Sequence, residues 1–179
     1  VIGPRSFGRE PHRVARAAAA ALRGYREGGV LACAKHFPGH GATTVDSHLA
    51  LPTCDADRAT LELRELVPFR EALHLSPLVM TAHVRYPALD PVLPATLSPA
   101  IVTGLLRGAL GARNVVVTDA MEMKGVADLA PGGDGLLAAL TAGCDLVLFG
   151  EWTPALDAAL DGAAARWDAR RAVGSTTTR

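Results

Sequence analysis

Ionisable side chains are densest in the segment KHFPGHGATTVDSH, residues 35–48, which holds three histidines, a lysine and an aspartate. Its glycines and its proline predict a loop. Asp46 and His48 lie two residues apart, so both side chains can project to one side of an extended chain. The carboxylate can then orient the imidazole and raise its pKa, and such a histidine can protonate a leaving group and later activate water. The segment therefore predicts an acid–base loop over a bound polar substrate.

Two other interpretations of this loop stay open. One is a solvated surface loop whose histidines have no chemical role. The other is a metal site, with ligands drawn from His36, His40, Asp46 and His48. Those spacings match neither HExxH nor another standard ligand pattern, and Lys35 would place a cation beside the metal.

A single carboxylate, Asp119, stands between the strings VVVT and AMEM. An aspartate after a strand commonly caps the helix that follows. With an Asp–His loop facing it, the same carboxylate could act as a nucleophile, as in retaining glycosidases, which form a covalent glycosyl-enzyme. From the residues alone, both roles remain possible.

The apolar runs before these residues predict an α/β fold. The pattern gives strands at 30–34, 78–82, 115–118 and 145–149, and helices at 10–27, 58–75 with an interruption at Pro68, 98–111, 136–142 and 154–172. Nearly every strand residue is apolar, so both faces of the sheet are expected to be buried. Three strands lead into Lys35-His36, His83 and Asp119, and the carboxyl ends of parallel strands converge on active sites. An open doubly wound sheet and part of a (βα)₈ barrel both fit this pattern.

Composition excludes several classes of protein. Lys+Arg 18 balances Asp+Glu 18 in 179 residues, so a broad nucleic-acid-binding surface is not expected. The chain has no apolar run near the roughly 20 residues that cross a bilayer. Three cysteines without a CxxC pair predict neither a disulfide framework nor a zinc ribbon. The chain starts at Val1 without an initiator methionine, so we interpret it as a piece of a longer protein.

Several strings in the chain resemble glycoside hydrolase family 3, and more narrowly its bacterial β-N-acetylglucosaminidase (β-hexosaminidase) branch, which acts in peptidoglycan turnover. They are KHFPGHGATTVDSHLALP, VMTAHVRYPALD, PATLSP and VVVTDAMEM, in this order, with RSFG before them and AGCDLVLFG after them. The resemblance implies a (β/α)₈ TIM-barrel-type α/β fold, of which this chain covers about the last four βα units. We expect a partial catalytic barrel domain at 1–172 and a tail at 173–179.

The resemblance also implies an activity: retaining hydrolysis of terminal β-linked N-acetylglucosamine through a covalent glycosyl-aspartate. By motif match, Asp119 is the nucleophile, His48 the general acid/base and Asp46 its partner. Three more positions match sugar-binding ones, namely Arg5, Lys35 and His36. The implied partner is a carbohydrate, an N-acetylglucosaminyl glycan or muropeptide; no nucleic acid, metal, organic cofactor or membrane segment is implied.

The sequence departs from the family pattern in two places. Many members have an aspartate after GHG where this chain has Ala42. The family also takes an acidic sugar-binding residue from an early strand–loop unit, and no residue here can be assigned to it. Two alternatives to the hydrolase therefore stay open: a truncated, non-catalytic half-barrel, and a metal-dependent hydrolase on the same fold. His83 either lines the pocket or is a packed, hydrogen-bonded core residue.

Overall fold

Four parallel strands form one sheet, in which sequence order is also spatial order. The computed structural model describes residues 2–43, 45, 47 and 49–175, the last seven by their backbone alone. The strands are β1 Cys33–Phe37, β2 Leu78–Thr81, β3 Val115–Ala120 and β4 Leu146–Leu148. Parallel neighbours need a crossover connection. This accounts for the helices between successive strands.

A helix is present in each segment where the sequence predicts one, and the short helix at Lys124–Ala127 was not predicted. The helices are α1 Pro11–Glu27, α2 Arg58–Leu63, α3 Leu66–Ala72, a π-helix Ala100–Ala109, α4 Lys124–Ala127, α5 Gly133–Ala142 and α6 Pro154–Ser175, with short 3₁₀ turns at Gly3–Arg5 and Ala95–Leu97. The predicted α/β class with parallel strands is confirmed. The predicted tail boundary after residue 172 stays a prediction, and residues 176–179 lie outside the described part.

The predicted interruption of the second helix is confirmed, and it falls one turn before the proline. α2 ends with its C-cap at Arg64, and α3 begins at Leu66. Pro68 has no N–H to give to the carbonyl of Arg64, and its ring would clash with that carbonyl in a continuous helix. The chain therefore bends at this point, which lets α3 pack against β1.

The first strand begins later than predicted, at Cys33 and not at Val30. Val30 donates its N–H to the carbonyl of Tyr25 at 2.9 Å, so this residue still belongs to the end of α1. The parallel ladder starts where Cys33 pairs with Leu78. The segment before it stays outside the sheet, and Leu31 is 78% exposed although it is apolar.

The core lies between the sheet and the helices that cover it. Phe37 at the end of β1 meets Phe69 of α3 edge to face, with ring centroids 5.2 Å apart. Among the largest side chains with no exposed surface are Phe37, Leu61, Leu66, Val79, Tyr86, Ile101, Leu106 and Val116. Burying each such side chain contributes roughly 1.5–3 kcal/mol, and this burial holds the strand ends in place.

The prediction that both faces of every strand are buried is wrong for β4. Leu146 and Leu148 are 50% and 40% exposed, while Val147 between them packs against the core. β4 is an edge strand, and no element of the described chain covers the face that carries these leucines. Of the helices in the described part, none has the length and apolarity needed to span a membrane.

Candidate active site

A carboxylate and an imidazole meet at the carboxyl edge of the sheet. His36 near the end of β1 places Nε2 3.4 Å from Oδ2 of Asp119 near the end of β3. The side chain of His36 is 9% exposed and that of Asp119 is 18% exposed, so both lie in a largely desolvated position that still opens to solvent. The sequence predicted that these strand ends converge, and this contact confirms it.

Both residues sit where the strand pairing is irregular. Lys35 pairs with Met80 and Phe37 with Thr81, so His36 is an extra residue on β1. On β3, Val117 pairs with Leu146 and Ala120 with Leu148, which leaves an extra residue around Asp119. Bulges of this kind turn a side chain away from its regular direction. Neither irregularity could be predicted from the hydrophobic pattern of the chain.

Burial keeps His36 neutral. It lowers the pKa of the imidazole from 6.5 to about 4, against the opposing effect of the Asp119 carboxylate. Lys35, His40 and Arg5 lower the pKa further, because each disfavours a second positive charge nearby. The ring therefore carries a single N–H at neutral pH.

The polar atoms of this pair are only partly satisfied. Oδ1 of Asp119 accepts the N–H of Ala120 at 3.0 Å. Nδ1 of His36 is buried and has no hydrogen-bond partner among the described residues. Buried polar atoms are nearly always paired in native proteins, so Nδ1 is a candidate contact for a group outside the described residues.

The loop after β1 starts from a close backbone contact. Gly39 has φ +147°, and a Cβ there would lie 2.5 Å from Cγ of Glu65. The hydroxyl of Tyr86 donates to the Gly39 carbonyl. Only glycine allows this approach, so the loop leaves the strand at a fixed angle.

Ser47 anchors the far side of the same loop. Nε2 of His40 lies 3.2 Å from Oγ of Ser47, and Nδ1 of His40 lies 2.8 Å from Oγ1 of Thr43. The carbonyl of Ser47 accepts the N–H of Gly125 at 2.9 Å. Gly125 belongs to α4, which follows Asp119 in the chain, so this bond ties the loop to the segment next to the carboxylate.

The predicted acid–base residues, Asp46 and His48, lie outside the described residues. The structure therefore does not test their placement, and their roles stay predictions. Ser47, the residue between them, is described and buried. Asp46 and His48 are also two of the four candidate metal ligands, so the structure does not test that set as a whole. Within the described residues, no group of three or more His, Cys, Asp and Glu side chains could hold a metal ion.

Of the other predicted residues, Lys35 and Arg5 are close enough to His36 for their charges to lower its pKa. Lys35 precedes His36 in β1 and is exposed. Arg5 is exposed at the end of the 3₁₀ turn Gly3–Arg5. Their roles as sugar ligands stay predictions. Of the two alternatives for His83, the structure shows the packed, hydrogen-bonded core residue, which is 1% exposed. Sequence reasoning missed its partner Thr96, which is buried within the PATLSP string.

Enzymes built on barrels of parallel βα units have their active sites at the carboxyl edge of the sheet, which is where Asp119 and His36 meet. The chain belongs to glycosyl hydrolase family 3: the family's N-terminal domain matches residues 1–166. A solved β-N-acetylglucosaminidase of this family from Paenibacillus sp. strain FPU-7 superimposes with a TM-score of 0.91 at 47% identity, over 96% of this chain and 33% of that one. The predicted barrel-type fold is thereby confirmed.

Two further relatives bear on the site. A β-hexosaminidase of Alkalilimnicola ehrlichii is 44% identical over 89% of this chain and 46% of its own length. The structure of NagZ from Neisseria gonorrhoeae in complex with N-trifluoroacetyl-D-glucosamine has a TM-score of 0.80 at 37% identity, over 93% of this chain and 50% of that one. The chain spans less than half the length of the curated relatives that it matches first.

Acidification should destabilise the fold through His36. The pKa of His36 is lower in the folded state, so between pH 6.5 and about 4 the unfolded chain binds the proton more readily. The stability that comes from keeping His36 neutral is therefore fully present above pH 6.5 and is lost as the pH falls toward about 4. From pH 7 to pH 5, urea unfolding of the wild type should lose on the order of 1 kcal/mol more than that of His36→Gln. His12→Gln, an exposed histidine of α1, is the control, and equal losses in all three proteins would contradict the assignment.

The contact between Ser47 and Gly125 leaves no room for a side chain. A Cβ on Gly125 would lie 3.0 Å from the Ser47 carbonyl oxygen and 3.4 Å from Cβ of His83. Gly125→Ala should therefore lower the free energy of unfolding by roughly 1–3 kcal/mol, as overpacking does. Gly162→Ala in α6 is the matched control, because its Cβ would meet nothing within 4 Å. It should be neutral or stabilising by up to about 1 kcal/mol, and the same result for both variants would contradict the close contact.

Proposed function

We propose that the polypeptide containing this chain is a retaining glycoside hydrolase that removes terminal β-linked N-acetylglucosamine, as from peptidoglycan fragments. The observation that carries the proposal is the contact between Asp119 and the neutral His36 at the carboxyl edge of a family 3 sheet. The names of the relatives support the substrate, since they are β-hexosaminidases and β-N-acetylglucosaminidases. So does the N-acylated glucosamine bound to the Neisseria gonorrhoeae structure.

Asp119 is the proposed nucleophile. Its Oδ2 would attack the anomeric carbon as the bond from that carbon to the leaving oxygen breaks, and this forms a glycosyl ester on Asp119. The hydrogen bond from Ala120 to Oδ1 supports this role, because it fixes the plane of the carboxylate. A neutral His36 beside Oδ2 helps to orient the carboxylate without neutralising its charge.

Neither His36 nor His83 is suited to act as the general acid. His36 has its pKa lowered to about 4, so it has no second proton to give at neutral pH. His83 has both ring nitrogens in hydrogen-bond contact within the core. This supports the assignment of His48, oriented by Asp46, as the residue that protonates the leaving oxygen. The same residue then takes a proton from the water that hydrolyses the ester.

Arg5, Lys35 and His36 are the proposed sugar ligands. Arg5 and Lys35 offer N–H donors, which sugar hydroxyls accept, and both are close enough to His36 for their charges to lower its pKa. Holding the ring against the carboxylate lowers the barrier by fixing the position of the reacting atoms. Nδ1 of His36, which has no partner among the described residues, is an acceptor for a sugar hydroxyl.

The test is hydrolysis of an aryl β-N-acetylglucosaminide. Because the chain spans 46% of the Alkalilimnicola ehrlichii relative, the assay uses a chimera in which this chain replaces the matched segment of that enzyme. Asp119→Asn should lower kcat at least about 10³-fold, since it removes the nucleophile and keeps the volume.

The control is Asp161→Asn, an exposed carboxylate of α6. It should leave kcat within about twofold, as is usual for an exposed surface change. A folded chimera without activity would favour the non-catalytic half-barrel. Near-normal turnover in Asp119→Asn would contradict the nucleophile, and loss of activity on chelation in the wild type would favour the metal-dependent alternative.

A further inference from the structure

A buried histidine outside the Asp119–His36 contact joins the end of β2 to the end of β3. His83 is 1% exposed and has a polar partner at each ring nitrogen. Nε2 lies 3.0 Å from the carbonyl oxygen of Ala120, the residue after Asp119. Nδ1 lies 2.8 Å from Oγ1 of Thr96, which is fully buried.

The chemistry of the two partners determines the state of the ring. A carbonyl oxygen only accepts hydrogen bonds, so Nε2 of His83 carries a proton. Burial lowers the pKa of His83, so the ring is neutral and Nδ1 accepts. The donor to Nδ1 is then the hydroxyl of Thr96.

The Thr96 hydroxyl has several possible acceptors within hydrogen-bond distance, and the protonation state of His83 determines which one it donates to. Its oxygen also lies 3.1 Å from the Ala82 carbonyl and 2.9 Å from Oγ1 of Thr81. If Thr96 donated to Ala82, Nδ1 of His83 would need a proton of its own, and a buried cation would result. With His83 neutral, the chain of donors runs from Thr81 to Thr96, to His83 and to the Ala120 carbonyl.

This chain of hydrogen bonds ends on the backbone that carries the carboxylate. The N–H of Ala120 binds Oδ1 of Asp119 at 3.0 Å, while the carbonyl of Ala120 binds His83. Ala120 is therefore held through both its N–H and its carbonyl group. Ala120 lies at the irregular part of the β3–β4 pairing, where β3 has one residue more than β4 between the pairs Val117–Leu146 and Ala120–Leu148.

We propose that His83, which donates from Nε2 to the Ala120 carbonyl and accepts at Nδ1 from the Thr96 hydroxyl, is a positioning residue for Asp119. The inference rests on the proposed function, because it assumes that Asp119 attacks the sugar. It goes beyond that function by assigning a role to two buried residues that need not touch substrate. A residue with a packing role alone would respond to the volume at Thr96 and not to its hydroxyl.

The first arm of the test is ¹⁵N NMR of the imidazoles in the 179-residue chain, which requires no activity. The wild type and Thr96→Ser should show His83 protonated at Nε2 only. Thr96→Val keeps the volume and removes the donor, so Nδ1 of His83 loses its hydrogen bond. The ¹⁵N signal of Nδ1 should then move to that of an unbonded acceptor nitrogen, and the amide signals of Asp119 and Ala120 should shift. A proton on Nδ1 in the wild type, or no change in Thr96→Val, would overturn the proposal.

The second arm is kinetic, in the polypeptide for which Asp119-dependent hydrolysis has been measured. Thr96→Val should lower kcat by about 10–100-fold with KM changed less than about threefold, because a small misplacement of a reacting group is costly. The loss should be equal for good and poor leaving groups, since it affects the nucleophile and not the acid. Thr96→Ser should restore kcat to within about threefold of the wild type.

Thr141→Val is the matched control. The Thr141 hydroxyl donates to the Leu137 carbonyl one turn away within α5, and it takes no part in the hydrogen bonds that run from Thr81 to Ala120. It should keep the wild-type kcat. If Thr96→Val and Thr96→Ser lost activity equally, and in proportion to a loss of folded protein, His83 would have a packing role only. If the wild type hydrolysed nothing, the proposed function would fail, and the NMR arm would still decide whether Thr96 fixes the ring.

Discussion

The parallel pairing of β1, β2 and β3 is the constraint on which the site depends. It brings His36, His83 and Asp119 to one edge although they are far apart in the chain. The pairing needs apolar strands buried under crossover helices, and residues such as Val79 and Val116 meet that need. The two irregularities then turn His36 and Asp119 toward each other, so the regular part of the sheet fixes the distance and the irregular part fixes the direction.

Desolvation gives neighbouring histidines different tasks. His36 is buried beside a carboxylate and stays neutral, with one nitrogen facing Asp119. His83 is buried deeper and has both nitrogens engaged by the core. His40 contacts Thr43 and Ser47 and so shapes the loop that contains the predicted acid/base. Leaving a buried polar group unpaired costs about 1–3 kcal/mol, which explains why the rings of His40 and His83 have partners at both nitrogens.

Much of this arrangement could be predicted from the sequence, and the remainder shows what patterns leave out. The VVVT string before Asp119 indicates a buried strand, and the Asp–Ala–Met string after it indicates where the strand ends, so Asp119 was found from local information. The late start of β1 at Cys33 was missed, because the end of α1 recruits Val30 through a backbone bond that no hydropathy pattern records. The exposure of Leu146 was missed because burial depends on what covers an edge strand. Thr96 was missed because its partner, His83, is thirteen residues away and a threonine has no distinctive spacing.

In the proposed mechanism, Asp119 becomes covalently bound to the sugar. The most direct measurement is to react the chimera with a fluorinated N-acetylglucosaminyl substrate whose intermediate accumulates, and to locate the added mass by peptide mass spectrometry. We expect one added sugar per protein, on the peptide that contains Asp119, and none in Asp119→Asn. A sugar attached to a different residue, or turnover of the substrate without any covalent species, would contradict the proposed mechanism.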